Sequence, residues 1–351
     1  MATAAPSNSA LGLSFSLFGE KLPREAILAD DKEALFATPG DGFFRLADTD
    51  QKFALHWKSG SLKYTNFKPM VEGGTAKLFS CFDENLRRTV VYKTLHDHLR
   101  DDEIETQRFL REARVTANIA HPGTVPLYEL GRDRNGNLFF TMKRVSGRDL
   151  RSIIEAIKDG DERTAAAFPL AAQMDILISV CQTVAYAHRH GVIHRDLKPA
   201  NILVGGFGEA LVIDWGLAKV WGEPELATAE MGADEDPALT PVGRRYGTPL
   251  YMAPELARGD AHIDGRVDVF SLGIVLYEIL THQPLLSGET VSEVTKKLLN
   301  EPFPKPSEAA PDRDIPAALE AICCKALEKE TKNRFHDVNE MIEELQNYHS
   351  A

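Results

Sequence analysis

Two short runs of the chain hold residues whose types and spacing suit group-transfer chemistry. In VIHRDLKPAN (192–201), a carboxylate (Asp196), an ammonium (Lys198) and a carboxamide (Asn201) fall within six residues. Apolar stretches, VI at 192–193 and ILV at 202–204, flank them, so the polar loop is expected to be pinned between buried segments. An aspartate can take the proton of an attacking hydroxyl, and a lysine can neutralise a phosphate. An amide oxygen suits Mg²⁺, a hard cation. Ten residues on, LVIDWG (211–216) places a second carboxylate, Asp214, at the end of an apolar strand, a position suited to metal ligation.

The elements that must hold these groups have readable rhythms. VVYKTL (90–95) is β-branched and aromatic, a strand pattern. Residues 101–120 form a charged amphipathic helix with Phe109, Ala113 and Thr116 on one face, stopped by HPG at 121–123. Residues 125–130 and 138–145 read as two more strands. After Asp149 the pattern turns helical, over 171–190, 267–280, 317–327 and 338–345. Strands first and helices after imply an α+β protein with two unlike lobes. The stretch from Asp214 to Glu255 is mostly loop, a length that marks a functional or mobile segment. Residues 1–63 stand apart. Their small, polar start is expected to fray, and the rest carries Phe36, Phe43, Phe44, Phe53, Leu55 and Trp57 without a motif.

Composition narrows the classes. The chain has 351 residues, 43% hydrophobic and 26% charged, which excludes wholesale disorder and a membrane bundle. With 40 basic and 52 acidic residues its net charge is −12, a poor match to nucleic acid. The four cysteines (Cys81, Cys181, Cys323, Cys324) form no C-x-x-C pair and fit reduced thiols in a cytoplasmic protein. No secretory leader and no run of the ~20 apolar residues needed for a membrane span is evident.

The run at 192–201 resembles the catalytic loop H-R-D-L-x-x-x-N of eukaryotic-type serine/threonine protein kinases, with every specified position present. VYK (91–93) resembles the V-A-I-K strand and DWG (214–216) resembles D-F-G with Trp215 for Phe. APE (253–255) is unchanged, and GTPLYM (247–252) precedes it. Asp268 in DVFSLG and Arg334 in NRF fall where that family has a core-helix aspartate and a partner for the A-P-E glutamate. The match runs over residues 64–348, and FLREARVTANIAHPGTVPLYELG (109–131) looks most like the bacterial branch.

The resemblance implies a two-lobed protein kinase fold, with a strand-rich small lobe over about 64–145 and a helical large lobe over about 146–348. It implies Asp196 as catalytic base, Lys198 at the transferring phosphate, and Asn201 and Asp214 holding Mg²⁺, with Mn²⁺ as a substitute. Lys93 would contact ATP phosphates and pair with Glu112, since Glu103 and Glu105 lie too near the helix start. Met142 would guard the back of the nucleotide pocket. Thr248 would shape the pocket for a protein Ser/Thr acceptor, and Lys198 rather than an arginine pattern favours Ser/Thr over Tyr. His194 would pack beneath Trp215. His188 and His190 read as helix-terminal groups.

The glycine loop departs from the family. VEGGTAKL (71–78) keeps Gly73, with Gly74 beside it, but Val71 and Ala76 replace the outer glycines of G-x-G-x-x-G. This leaves a pseudokinase scaffold as the alternative to an active kinase. Residues 222–238 carry six acids and no base. Arg195 is the candidate receiver of a phosphothreonine, with Thr240 and Thr228 as candidate phosphosites, or of the acidic run itself. Residues 1–63 could pack on the small lobe, bind a regulatory partner or gate the cleft.

Overall fold

The computed structural model describes residues 58–220, 249–260 and 263–350. The small lobe is an antiparallel sheet of β1 (Tyr64–Glu72), β2 (Ala76–Asp83), β3 (Arg88–Leu95), β4 (Leu127–Arg132) and β5 (Leu138–Lys143), in the order β1-β2-β3-β5-β4. One helix, α1 (Glu103–Asn118), crosses between β3 and β4. It starts where Asp102 caps it, accepting from the Ile104 and Glu105 amides at 3.0 and 3.1 Å.

Strand alternation sorts the side chains of β3. Val90 and Tyr92 face one side, in a cluster with Tyr64, Cys81 and Phe139. Leu95 faces the other, against Phe109 and Ala113 of α1 and Phe140 of β5. The sheet coils until its edges meet: Tyr64 Oη donates to Glu129 Oε2 on β4 at 2.6 Å, and Lys63 pairs with the same carboxylate at 2.7 Å. The aromatic cluster is the interior of that coil, with Tyr92 stacked on Phe139 at 4.6 Å.

The large lobe comes next in the chain. β6 (Gly147–Asp149), β8 (Ile202–Gly205) and β9 (Ala210–Val212) make one small sheet, and β7 (Val192–Ile193) pairs with β10 (Lys219–Val220). The helices are α2 (Leu150–Lys158), α3 (Glu162–Ala167), α4 (Leu170–Arg189), α5 (Pro254–Arg258), α6 (Arg266–Thr281), α7 (Val291–Asn300), α8 (Pro306–Ala309), α9 (Ala317–Ala326) and α10 (Val338–Ser350). Every residue of α6 from Val267 to Thr281 is buried, so it is the axis of the lobe, packed by α4, α9 and α10.

The expectation on membrane spans needs one correction. α4 is long and apolar enough, at 20 residues, to cross a membrane by length and composition. Its alanines and aliphatic side chains are spent on the large-lobe core, where Met174, Leu177, Val180, Cys181 and Val184 are fully buried. All four cysteines are free thiols.

Candidate active site

The catalytic loop hangs between two short strand pairs. β7 pairs with β10 and leads into His194-Arg195-Asp196, and β8 resumes directly after Asn201. Those strands are two to four residues long, too short to carry a sequence rhythm.

Asp268 on α6 fixes the loop from below. It is fully buried and accepts the His194 amide at 2.8 Å and the Arg195 amide at 2.9 Å. These bonds hold Arg195 at φ +66°, a conformation L-residues rarely adopt without such support. The third contact of Asp268 comes from His188 Nε2 at 2.7 Å. Burial opposes charge on Asp268, yet the His188 bond and the charges around it hold its pKa below the ordinary carboxylate range. His188 lies in the last turn of α4, as expected, and from there it also positions the loop through Asp268. The signal that could have found it is Asp268 itself, an acid inside an apolar helix, which needs a buried partner.

Within the loop, Lys198 Nζ donates to Asp196 Oδ2 at 2.7 Å, and Asn201 Nδ2 donates to the Asp196 carbonyl at 2.8 Å and to Oδ2 at 3.1 Å. Asp196 is thus oriented by two neighbours, and Asn201 spends its amide nitrogen on that task. His194 packs on Trp215 with ring centroids 4.5 Å apart. Asp214 lies two residues past β9 rather than at its end, at φ +65°. Burial works against its charge, but Lys93, His194 and Lys198 outweigh burial and keep its carboxyl below the ordinary range.

Lys93 comes down from β3 to meet Glu112 of α1 at 2.5 Å. Burial disfavours the ammonium, but the Glu112 and Asp214 carboxylates more than compensate and hold its pKa above the ordinary value. Glu105, about two helix turns earlier, pairs instead with Arg108 at 3.2 Å. Met142 lies on β5, half-buried beside the Leu95–Phe109–Phe140 cluster.

These groups line one cleft between the lobes. Its apolar part, about 870 Å³, is walled by Met70, Leu78, Val91, Met142, Leu203 and Val212. A contiguous polar part, about 320 Å³, is lined by Lys93, Glu112, Asp196, Lys198 and Asp214. An apolar slot ending in paired cations and carboxylates suits a flat heterocycle joined to phosphates.

Gly73 and Gly74 sit at the β1–β2 turn over this cleft. Neither takes a positive φ, so the conformational freedom of glycine is not in use there. The turn is tied to the end of β3, where His96 Nε2 lies 2.7 Å from the Gly73 carbonyl. Ala76 is buried at the start of β2 in an ordinary strand backbone. Val71 lies within β1.

Among the described residues no group of three or more His, Cys, Asp or Glu side chains is arranged for a metal. Asn201 and Asp214 offer two hard oxygens, and a divalent cation there would complete its shell with phosphate oxygens and water. Thr228, Thr240, Thr248 and the acidic run at 222–238 lie outside the described residues. So does all of the 1–63 extension before Lys58. Arg195 donates through Nε to the Leu217 carbonyl at 2.8 Å. Arg334 grips Glu255 with two bonds, at 2.6 and 2.7 Å.

The chain is 35% identical over 293 residues to the serine/threonine-protein kinase PknD of Protochlamydia amoebophila, covering 81% of this chain and 30% of that protein. It is 33% identical over 298 residues to PknD of Chlamydia pneumoniae, covering 82% of this chain and 31% of that one. The chain therefore spans about a third of the length of these curated relatives. The protein kinase domain family matches residues 64–347. The chain belongs to the protein kinases, in their bacterial serine/threonine branch, a family that uses ATP and a divalent metal.

Proposed function

We propose that the chain transfers the γ-phosphoryl group of Mg·ATP to Ser or Thr hydroxyls of proteins. The observation that carries this is the assembly, across one cleft, of the Lys93–Glu112 pair with Asp196, Lys198, Asn201 and Asp214. Asp196, held by Lys198 and Asn201, orients the substrate hydroxyl and receives its proton at Oδ1 or Oδ2. Lys93 stays charged and neutralises the non-transferring phosphates, while Lys198 offers its ammonium to the phosphoryl group in flight. Asn201 and Asp214 would hold Mg²⁺, which supplies positive charge to the phosphate oxygens when bound. The rate gain comes from positioning and electrostatics.

The scaffold alternative rests on Val71 and Ala76. It loses force because Ala76 sits in regular strand and the turn glycines use no glycine-only backbone. Regulation is proposed to enter through residues 1–63, which could receive a partner, or through phosphate on Thr240 or Thr228. A cytoplasmic site of action is proposed from the reduced thiols.

The test is transfer of labelled phosphate from Mg·ATP to the chain itself and to a generic protein substrate. Asp196→Asn is expected to slow transfer by about 10²–10⁴-fold while keeping nucleotide affinity. Folded wild-type protein that binds Mg·ATP but transfers nothing would leave the scaffold reading in its place.

A further inference from the structure

The loop after Asp214 is contacted at three consecutive residues by three different side chains. A Cβ placed on Gly216 would stand 3.3 Å from Asp214 Oδ1 and 3.9 Å from Glu112 Oε2, so the Glu112 carboxylate lies over this glycine. The carbonyl of Leu217 accepts from Arg195 Nε at 2.8 Å. The carbonyl of Ala218, a fully buried residue, accepts from Arg111 Nη1 at 3.3 Å. Glu112 and Arg111 are neighbours on α1, whereas Arg195 belongs to the catalytic loop. The loop is thus bonded from the small lobe at 218 and from the large lobe at 217, with the Glu112 carboxylate close by at 216.

The next two residues are fixed as well. Lys219 and Val220 form β10, which pairs with Ile193 and Val192 of β7, immediately before His194-Arg195-Asp196. Ala218 immediately precedes the first paired residue. A guanidinium is suited to this place because it donates along a fixed plane and stays charged at any working pH.

We propose that Arg111 is a positioning residue that locks α1 to the metal-binding loop, so that Glu112 reaches Lys93 only when Asp214 is in place. The Lys93–Glu112 pair and the Asp214 loop then form one unit, with the Ala218 carbonyl as its outer fastening. Arg111 is not among the residues that line the cleft. It acts through Glu112. The kinetic part of this proposal rests on the phosphoryl-transfer reading above.

Two substitutions at Arg111, one of them repeated in a Glu112→Gln background, and two readouts test it. Arg111→Ala removes one charge-assisted hydrogen bond and is expected to lower kcat by about tenfold. Arg111→Lys, which keeps a donor, is expected to restore part of that loss. In a Glu112→Gln background, where the pair is already broken, Arg111→Ala is expected to cost less than about twofold more, because both changes strike one coupling. A full tenfold loss in both backgrounds would overturn the proposal, as would a kcat within about twofold of wild type in the single variant. The second readout needs no turnover. Amide hydrogen exchange in Arg111→Ala is expected to rise about tenfold at Ala218–Val220 and along α1, with α6 and α9 unchanged. Exchange that stays the same, or rises throughout the large lobe, would assign Arg111 a different role. Failure of Arg111→Ala to fold would also overturn the proposal by making the residue structural, and a catalytically silent wild type would sink the transfer reading while leaving the exchange test intact.

Discussion

Glu278 shows how far burial alone can move a group that sits away from the reacting atoms. It lies on α6 against Tyr251, near Arg151 and Glu155, and burial pushes its carboxyl from an ordinary 4.5 up to about 7, with Tyr251 and Arg151 opposing the rise and Glu155 adding to it. Asp268, on the same helix, moves the opposite way because it is surrounded by donors. The consequence for stability has a definite sign. Between pH 4.5 and 7 the folded chain keeps a proton on Glu278 that the unfolded chain releases. The stabilising contribution is complete below the unfolded value and is lost as pH rises through the folded one. Glu278→Gln is neutral at every pH. Relative to wild type it should gain on the order of 2–3 kcal/mol between about pH 5 and pH 8, read from urea unfolding at both. A difference between the two proteins that does not change with pH would show that Glu278 titrates normally.

At the scale of elements, the tether between α5 and the loop after α9 rests on one ion pair. Arg334 gives two bonds to Glu255, at 2.6 and 2.7 Å, and further bonds to the carbonyls of Glu328, Arg266 and Lys329. Both partners are buried, so removing one leaves a bare charge in the core. Arg334→Met is expected to cost about 3–5 kcal/mol in urea unfolding, and Arg334→Lys should recover little, since an ammonium cannot serve both carboxylate oxygens and three carbonyls at once. A loss under about 1 kcal/mol would mean that the pair is solvated. Arg334, Glu255 and Asp268 are legible in the sequence through the family resemblance, because NRF, APE and DVFSLG match its motifs in order. So are β3, by its β-branched and aromatic run, and α1, by its stripe and its stop at 121–123. β6 to β10 are not, since two to four residues carry no period. The coil of the small-lobe sheet is not either, because it depends on Tyr64 meeting Glu129 across 65 positions. His188 escapes for the same reason: its partner Asp268 lies 80 positions away.

For the whole molecule, the question is what makes two lobes with separate cores share one cleft. α1 belongs to both. Phe109 and Ala113 pack in the small-lobe core with Leu95 and Phe140, while Val115 and Ile119, at its other end, pack in the large-lobe core. The chain after α1 is then laid onto the large lobe. The Gly123 carbonyl accepts the Val212 amide at 2.8 Å, Thr124 bridges to Val212, and the His121 ring lies 5.3 Å from that of Tyr186. This strip makes α1 a lever with its pivot in the large lobe, and its arm carries Glu112 into the cleft. The pivot needs a residue without a side chain. A Cβ on Gly123 would fall 1.9 Å from Thr183 Oγ1 on α4, and that hydroxyl is committed to the Ser179 carbonyl at 2.9 Å and His121 Nδ1 at 3.2 Å. Gly123→Ala must therefore push the strip away from α4 or turn Thr183 out of its bonds, at an expected cost of about 1–3 kcal/mol. Because α1 is seated through this strip, ATP affinity should fall with it. Adding Thr183→Ala removes the obstructing oxygen, so the double variant should be more stable than Gly123→Ala alone and should regain most of its ATP affinity. If the double variant instead loses the sum of the two single costs, the strip and α4 are not in the contact that seats the lever, and the pivot must lie elsewhere along α1.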